Sequence, residues 1–170
     1  MPTKYSDQRI SVFVDVQNLY YSARSLYNAR VNFGSILKEV TGARRLVRAI
    51  AYVIRASIPE EQSFFSALDK SGFEVKMKDL QVFATGAKKG DWDVGITMDM
   101  VQMMNKLDSI VLLSGDGDYV DAIKYLQING TRVEAAAFGR STSAKLKEAV
   151  DDFIDLDENS KKFLIPIRRQ

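Results

Sequence analysis

Strand-like apolar runs and helix-period stretches take turns along this chain, and that alternation restricts the fold more than any other feature it carries. Residues 9–15 read as a buried first strand, and residues 18–28 as a helix with Leu19, Ala23 and Leu26 on one side. A helix over 33–41 stops at Gly42, a strand covers 46–54, and Pro59 opens a helix through Phe64, Phe65 and Leu68 that ends near Gly72. Alternate apolar positions over 73–82 place Val75, Met77 and Leu80 inside, and 84–90 is a flexible basic loop. A long helix starting at Asp91 or Asp93 carries Val94, Met98, Val101, Met104 and Leu107 at helical spacing, and the methionines Met98, Met100, Met103 and Met104 are read as core. A strand over 109–114, a helix over 118–128 closed by Asn129 and Gly130, a strand over 131–138, a helix over 143–150 and an edge strand over 153–156 complete the pattern.

Strands separated by helices need crossover connections, so the expected fold is a three-layer α/β/α sandwich around a mostly parallel sheet covered on both faces. With 170 residues and 46% hydrophobic content the chain fits one domain over 1–170, its core at about 9–156 and a tail at 157–170. It shows no internal repeat.

Two of the strands end in acids. Val12-Phe13-Val14-Asp15 is followed three residues later by Asn18, and Leu112-Leu113-Ser114-Gly115 runs into Asp116-Gly117-Asp118. Open α/β sheets bind their ligands at the carboxyl ends of the strands, so these positions are where chemistry is expected, and two acids there suggest a metal cage. Each has an ordinary alternative, because Asp15, Asn18 or Asp118 could simply cap the following helix. Against that, a lone carboxylate at the end of a central strand is costly to desolvate unless a cation or hydrogen-bond donors compensate.

The glycines around Asp116 imitate a dinucleotide fingerprint, with Glu134 where a ribose-binding acid could stand. Val120 replaces the third glycine, however, and two acids would face the pyrophosphate. A calcium loop fails as well, since Asp121 and Gln127 occupy positions that need glycine and glutamate. The chain has no histidine and no cysteine, which removes Ser/His/Asp triads, cysteine nucleophiles and Cys/His zinc sites. What is left is carboxylate, lysine, hydroxyl or metal chemistry.

Net charge is only +2, but the first 55 residues are basic and residues 148–158 acidic, an asymmetry that fits either a positive face beside an acidic centre or ordinary solvated helix faces. Lys88 and Lys89 precede a helix start, and Arg140 with Ser141 and Lys145 form a candidate phosphate grip. Tyr20, Tyr21 and Tyr27, near Arg24 and Arg30, could stack on bases or pack internally. Asp99 interrupts an apolar helix and needs a partner if buried. No apolar run is long enough to span a bilayer, and the chain reads as soluble and cytoplasmic with no membrane partner.

Four segments in order resemble the NYN family, PIN-like nuclease domains that include the LabA-like proteins. Asp15 to Asn18 resembles the acid-x-x-Asn motif, Lys89-Gly90-Asp91-Trp92-Asp93 the Lys-Gly-x-x-Asp segment, Ser114 to Tyr119 the Ser-Gly-Asp-x-Asp-Phe motif, and the stretch from Phe138 to Phe153 the terminal motif. Trp92 departs from the small aliphatic residue common there. The resemblance implies a PIN-like, Rossmann-like sandwich whose acidic site binds Mg²⁺ or Mn²⁺ and cleaves RNA. Asp15, Asp93 and Asp116 would be its catalytic, metal-binding core, with Asp118 a further ligand and Asn18 and Asp99 in support. Hard oxygen ligands without histidine independently suit Mg²⁺ or Mn²⁺. Lys88, Lys89, Arg140, Ser141 and Lys145 would hold the backbone of single-stranded RNA. A homodimer is left open. Two other functions fit the same residues: a non-catalytic module that binds RNA or protein, and a carboxylate-dependent phosphatase. The phosphatase wants a second acid where Gln17 stands.

Overall fold

Seventeen regular elements follow one another in a computed structural model that describes residues 4–167, with the side chains of 88 and 89 left out. They are β1 (Arg9–Asp15), α1 (Val16–Tyr27), β2 (Ala29–Val31), α2 (Phe33–Thr41), β3 (Arg45–Arg55), α3 (Glu61–Lys70), β4 (Glu74–Asp79), β5 (Gln81–Val82) and β6 (Lys88–Lys89). The second half adds α4 (Asp93–Met103), β7 (Ser109–Leu113), α5 (Val120–Ile128), β8 (Arg132–Ala137), α6 (Ala144–Ala149), β9 (Asp152–Asp155), α7 (Ser160–Phe163) and β10 (Leu164–Pro166).

Six of the strands form one sheet in the order β4-β3-β1-β7-β8-β9, every pair parallel. Helices cover both faces, giving the three-layer α/β/α sandwich. The period of two in the strands decides what each face buries. From β1, Ile10, Val12 and Val14 join Ala49, Ala51 and Val53 of β3 and Val111 and Leu113 of β7 under α1, α2 and α3. Phe13, Ile50, Tyr52, Ile110 and Leu112 turn the other way, under α4, α5 and α6. β1 is flanked by β3 on one side and β7 on the other, so the strand order reverses between β1 and β7. Such a reversal opens a crevice at the carboxyl ends of the two strands, next to Asp15 and the residues after Leu113.

Several expectations change. Helix α1 starts at Val16 rather than residue 18, because Asp15 is itself the N-cap and accepts from the Asn18 N–H. On α4 only Ile96 and Met100 are buried; Val94 and Met98 are exposed, and the helix tightens to a 3-10 turn at Met104–Lys106. Helical spacing found the helix but misjudged its buried face, since its apolar residues surround it. Met77 is exposed on β4, an edge strand of the sheet. The loop over 84–90 closes a small hairpin in which β5 pairs with β6. Residues 157–167 are no loose tail: β10 pairs antiparallel with β2, and Phe163 enters the core. Both strands are three residues long, too short to show a period. Among the described residues no helix is long and apolar enough to cross a membrane.

Candidate functional site

Asp15 ends β1 in phase with Phe13, so its carboxylate faces the layer of α4 and α5. There it meets Asp93, the first residue of α4, and Asp116, which follows β7. One carboxylate oxygen from each of Asp15, Asp93 and Asp116 lies within 4.8 Å of the others.

A hydrogen-bond frame holds the cluster. The Ser114 hydroxyl donates to Asp15 Oδ2 at 3.3 Å and accepts the Asp116 N–H at 3.2 Å. Asn18 Oδ1 accepts the Gly115 N–H at 2.9 Å, tying the first turn of α1 to the end of β7. Gly115 is required there, because a Cβ would stand 2.7 Å from Thr142 Oγ1 and 3.1 Å from its Cα. Asp116 Oδ1 accepts the Asp118 N–H at 2.9 Å. Tyr119, fully buried, places its hydroxyl 3.2 Å from both Asp15 Oδ2 and Asp93 Oδ1 and donates its one proton to either.

The electrostatics are those of a site short of positive charge. Burial raises the Asp15 carboxyl above its ordinary value, assisted by the charge on Asp116, although the Asn18 N–H and the Tyr119 and Ser114 hydroxyls oppose the rise. Asp93 is pushed up to about 6 by burial and by the charges of Asp116 and Asp15. Burial and the two neighbouring carboxylates raise the Tyr119 hydroxyl too, keeping its proton in place as a donor. Among the described residues no lysine or arginine forms an ion pair with any of the three acids. Three hard oxygens, converging and uncompensated, fit a small divalent cation.

The remaining candidates fall elsewhere. Asp118 is exposed and outside the group of three; it reaches the site through its backbone N–H. Asp99 finds its partner in another place, accepting from Tyr52 Oη and from Lys76 Nζ, each at 2.7 Å. Arg140 is occupied: its guanidinium lies 3.6 Å from Asp157 and over the Tyr27 ring at 5.0 Å. Tyr27 donates to Asp157 and is not free to stack on a base. The Ser141 hydroxyl lies 2.9 Å from Ser22 Oγ and 3.2 Å from the Phe138 carbonyl oxygen and donates its one proton to either, within a 3-10 turn ahead of α6. Ser143, not Arg140 or Ser141, caps that helix. Lys145 is exposed on α6, and the Lys88 and Lys89 side chains lie outside the described residues. Trp92 leaves the acids undisturbed, since its Nε1 donates to the Val53 carbonyl at 2.8 Å and its ring stacks edge-on to Tyr52.

Sequence reasoning missed Tyr119. Its signal was a tyrosine where the resembled motif has phenylalanine, an added hydroxyl that a buried position must satisfy.

An α/β/α sandwich that gathers acids at the reversal of its strand order carries a site suited to carboxylate or metal chemistry. The chain belongs to the NYN domain family, whose model matches residues 9–157. It is 26% identical over 165 residues to the Low amplitude and bright protein LabA of Synechococcus elongatus, covering 91% of this chain and 87% of that one. A crystal structure of a protein of unknown function from Vibrio parahaemolyticus is 32% identical and superposes with a TM-score of 0.86 over 96% of this chain and all of the other.

Proposed function

We propose that this protein is a ribonuclease that hydrolyses phosphodiester bonds of single-stranded RNA with a Mg²⁺ or Mn²⁺ ion held by Asp15, Asp93 and Asp116, the whole working as one domain. The observation that carries this reading is the convergence of three carboxylates within 4.8 Å with no cationic side chain among the described residues to neutralise them. Such an arrangement is expensive unless an ion relieves it. A bound divalent ion supplies an acidified water and offsets the negative charge that builds on the phosphate during attack.

The protein's own residues do the rest. Asn18 and Gly115 lock the ends of β1 and β7 together, so Asp15 and Asp116 keep their separation. Ser114 orients Asp15 and the backbone of Asp116, while Tyr119 orients Asp15 and Asp93. We leave Asp118 and Asp99 out of the ligand set, the first for its exposure and the second for its ties to Tyr52 and Lys76. With Arg140 and Ser141 committed elsewhere, Lys88, Lys89 and Lys145 are the backbone contacts of the proposal. They would give a salt-dependent affinity of weak sequence preference.

The test is direct. Purified protein cuts an unstructured RNA in Mn²⁺ or Mg²⁺, and cutting stops in chelator and in Asp116→Asn. Cleavage that survives both controls overturns the reading.

A further inference from the structure

A cavity of about 770 Å³, lined from Val16, the residue next to Asp15, onward, is not used by the chemistry above. Its wall on one side is the first half of α1: Val16, Gln17, Tyr20 and Tyr21, spaced i, i+1, i+4 and i+5, share a face of that helix. Opposite stand Phe64 and Leu68 of α3 and Ile58 of the preceding loop; the floor is Phe33 and Val53, both buried. Helix α1 starts at the acid cluster, and the groove runs from that edge along the α1–α3 face of the sheet, the face opposite to the one the Asp15 carboxylate turns to; Tyr21 lies about 9 Å from Asp15 along the helix axis.

We propose that this groove is the base-binding subsite for the nucleotide next to the phosphate held at the carboxylates, the ligand being an unpaired base of single-stranded RNA stacked against Tyr20 and Tyr21. The inference rests on the ribonuclease reading and adds to it where the strand leaves the site.

Three observations favour a base over other occupants. Tyr20 is 41% and Tyr21 60% exposed, an unusual outlay of aromatic surface beside an acidic centre, and their rings meet edge to face at 5.4 Å. The charges sort the two parts of a nucleotide. Glu60 and Glu61 line the groove and repel a phosphate, whereas Arg30 also lines it and forms no ion pair among the described residues, free to take the backbone. Finally, the volume lies in the range of pockets that enclose one small ligand, with apolar walls and a few polar groups. The mouth is well built: both carboxylate oxygens of Glu61 accept backbone N–H groups, from Ala56 at 2.6 Å and Ser57 at 3.1 Å, which fixes the loop carrying Ile58.

Fluorescence anisotropy with a 5′-labelled oligouridylate octamer tests this, using the full chain in chelator so that nothing is cut. The Tyr20→Ala/Tyr21→Ala variant removes exposed side chains, and circular dichroism and melting temperature verify that it folds. Stacking predicts affinity weaker by about 5- to 150-fold for each base lost. A scan of octamers with one abasic position should reproduce that loss at one or two positions and not at the rest. Equal binding by the variant, or indifference to every abasic position, overturns the proposal and assigns the groove to another occupant, such as a protein segment. The two readings separate cleanly: a chain that binds base-dependently but cuts nothing in Mn²⁺ keeps the groove and loses the cleavage, and one that cuts but ignores the tyrosines does the reverse.

Discussion

Two buried carboxylates at opposite ends of the same sheet meet opposite fates. Glu134, on β8 near the amino ends of the strands, is fully enclosed, yet it is held by Arg44 at 2.7 and 3.1 Å and by the Ser109 hydroxyl at 2.6 Å, with Lys4 and Arg132 close by. Burial alone would raise its carboxyl, but these donors and charges hold it below the ordinary value. Asp15, at the carboxyl end and 9% exposed, has only a hydroxyl pair and one N–H for company, and two further acids as neighbours. Its carboxyl is raised. The first end is satisfied within the chain. The second is left uncompensated by any ion pair among the described residues, the difference that the proposed metal site would explain.

The comparison breaks most sharply in activity. Asp15→Asn should lower the single-turnover rate of RNA cleavage in Mn²⁺ at least about a thousandfold, on the order of 4 kcal/mol of barrier. The same variant should melt higher than the parent when metal-free, because an uncompensated buried charge is gone. Unchanged cleavage would remove Asp15 from the site.

At the other end the sign of the stability effect reverses. Arg44→Met leaves Glu134 enclosed without its main partner and should cost about 3–5 kcal/mol in urea unfolding, most of it recovered in Arg44→Met/Glu134→Leu. A loss under about 1 kcal/mol would show that the pair matters less than its burial suggests.

The two ends also answer pH differently. Asp93, raised to about 6 in the folded protein against an ordinary 3.8, binds protons more tightly folded than unfolded. Metal-free protein therefore loses stability as pH rises from about 4 through 6, and saturating Mn²⁺ or Asp93→Asn should flatten that fall. Glu134 works in reverse: its lowered value gives stability that is present above the unfolded pKa and lost as pH falls through the folded one. Thermal melts across pH, with and without Mn²⁺, separate the two, and a metal-free stability that does not fall between pH 4 and 6 contradicts the assignment to Asp93.

Tyr119→Phe should have the smallest effect. Losing one hydroxyl that orients Asp15 and Asp93 should weaken Mn²⁺ binding by calorimetry about fivefold, near 1 kcal/mol, with the ring still packed in the core. An unchanged affinity would make the hydroxyl a bystander.

Much of this was legible in the order of residues. Apolar strands alternating with helices announced the layered sandwich, and the acids following Val14 and Leu113 could be placed at strand ends because the strands are apolar throughout. Asp93 was reached through a family motif, since nothing local distinguishes it from an acid at any helix start. What stayed hidden depended on contacts between distant positions. Arg44 and Glu134 are 90 residues apart, Tyr119 and Asp15 are 104, and no period connects them. Asp99 illustrates the opposite error: a partly buried acid on an apolar helix needs a partner, and it found Tyr52 and Lys76 rather than the three clustered acids.

The central claim is that Asp15, Asp93 and Asp116 share one cation. A crystal grown in Mn²⁺ and measured for anomalous scattering tests it most directly. A manganese peak within about 2.0–2.6 Å of an oxygen from each of the three carboxylates is the predicted result. Carboxylates that take up no manganese, or manganese bound only elsewhere on the surface, would contradict it.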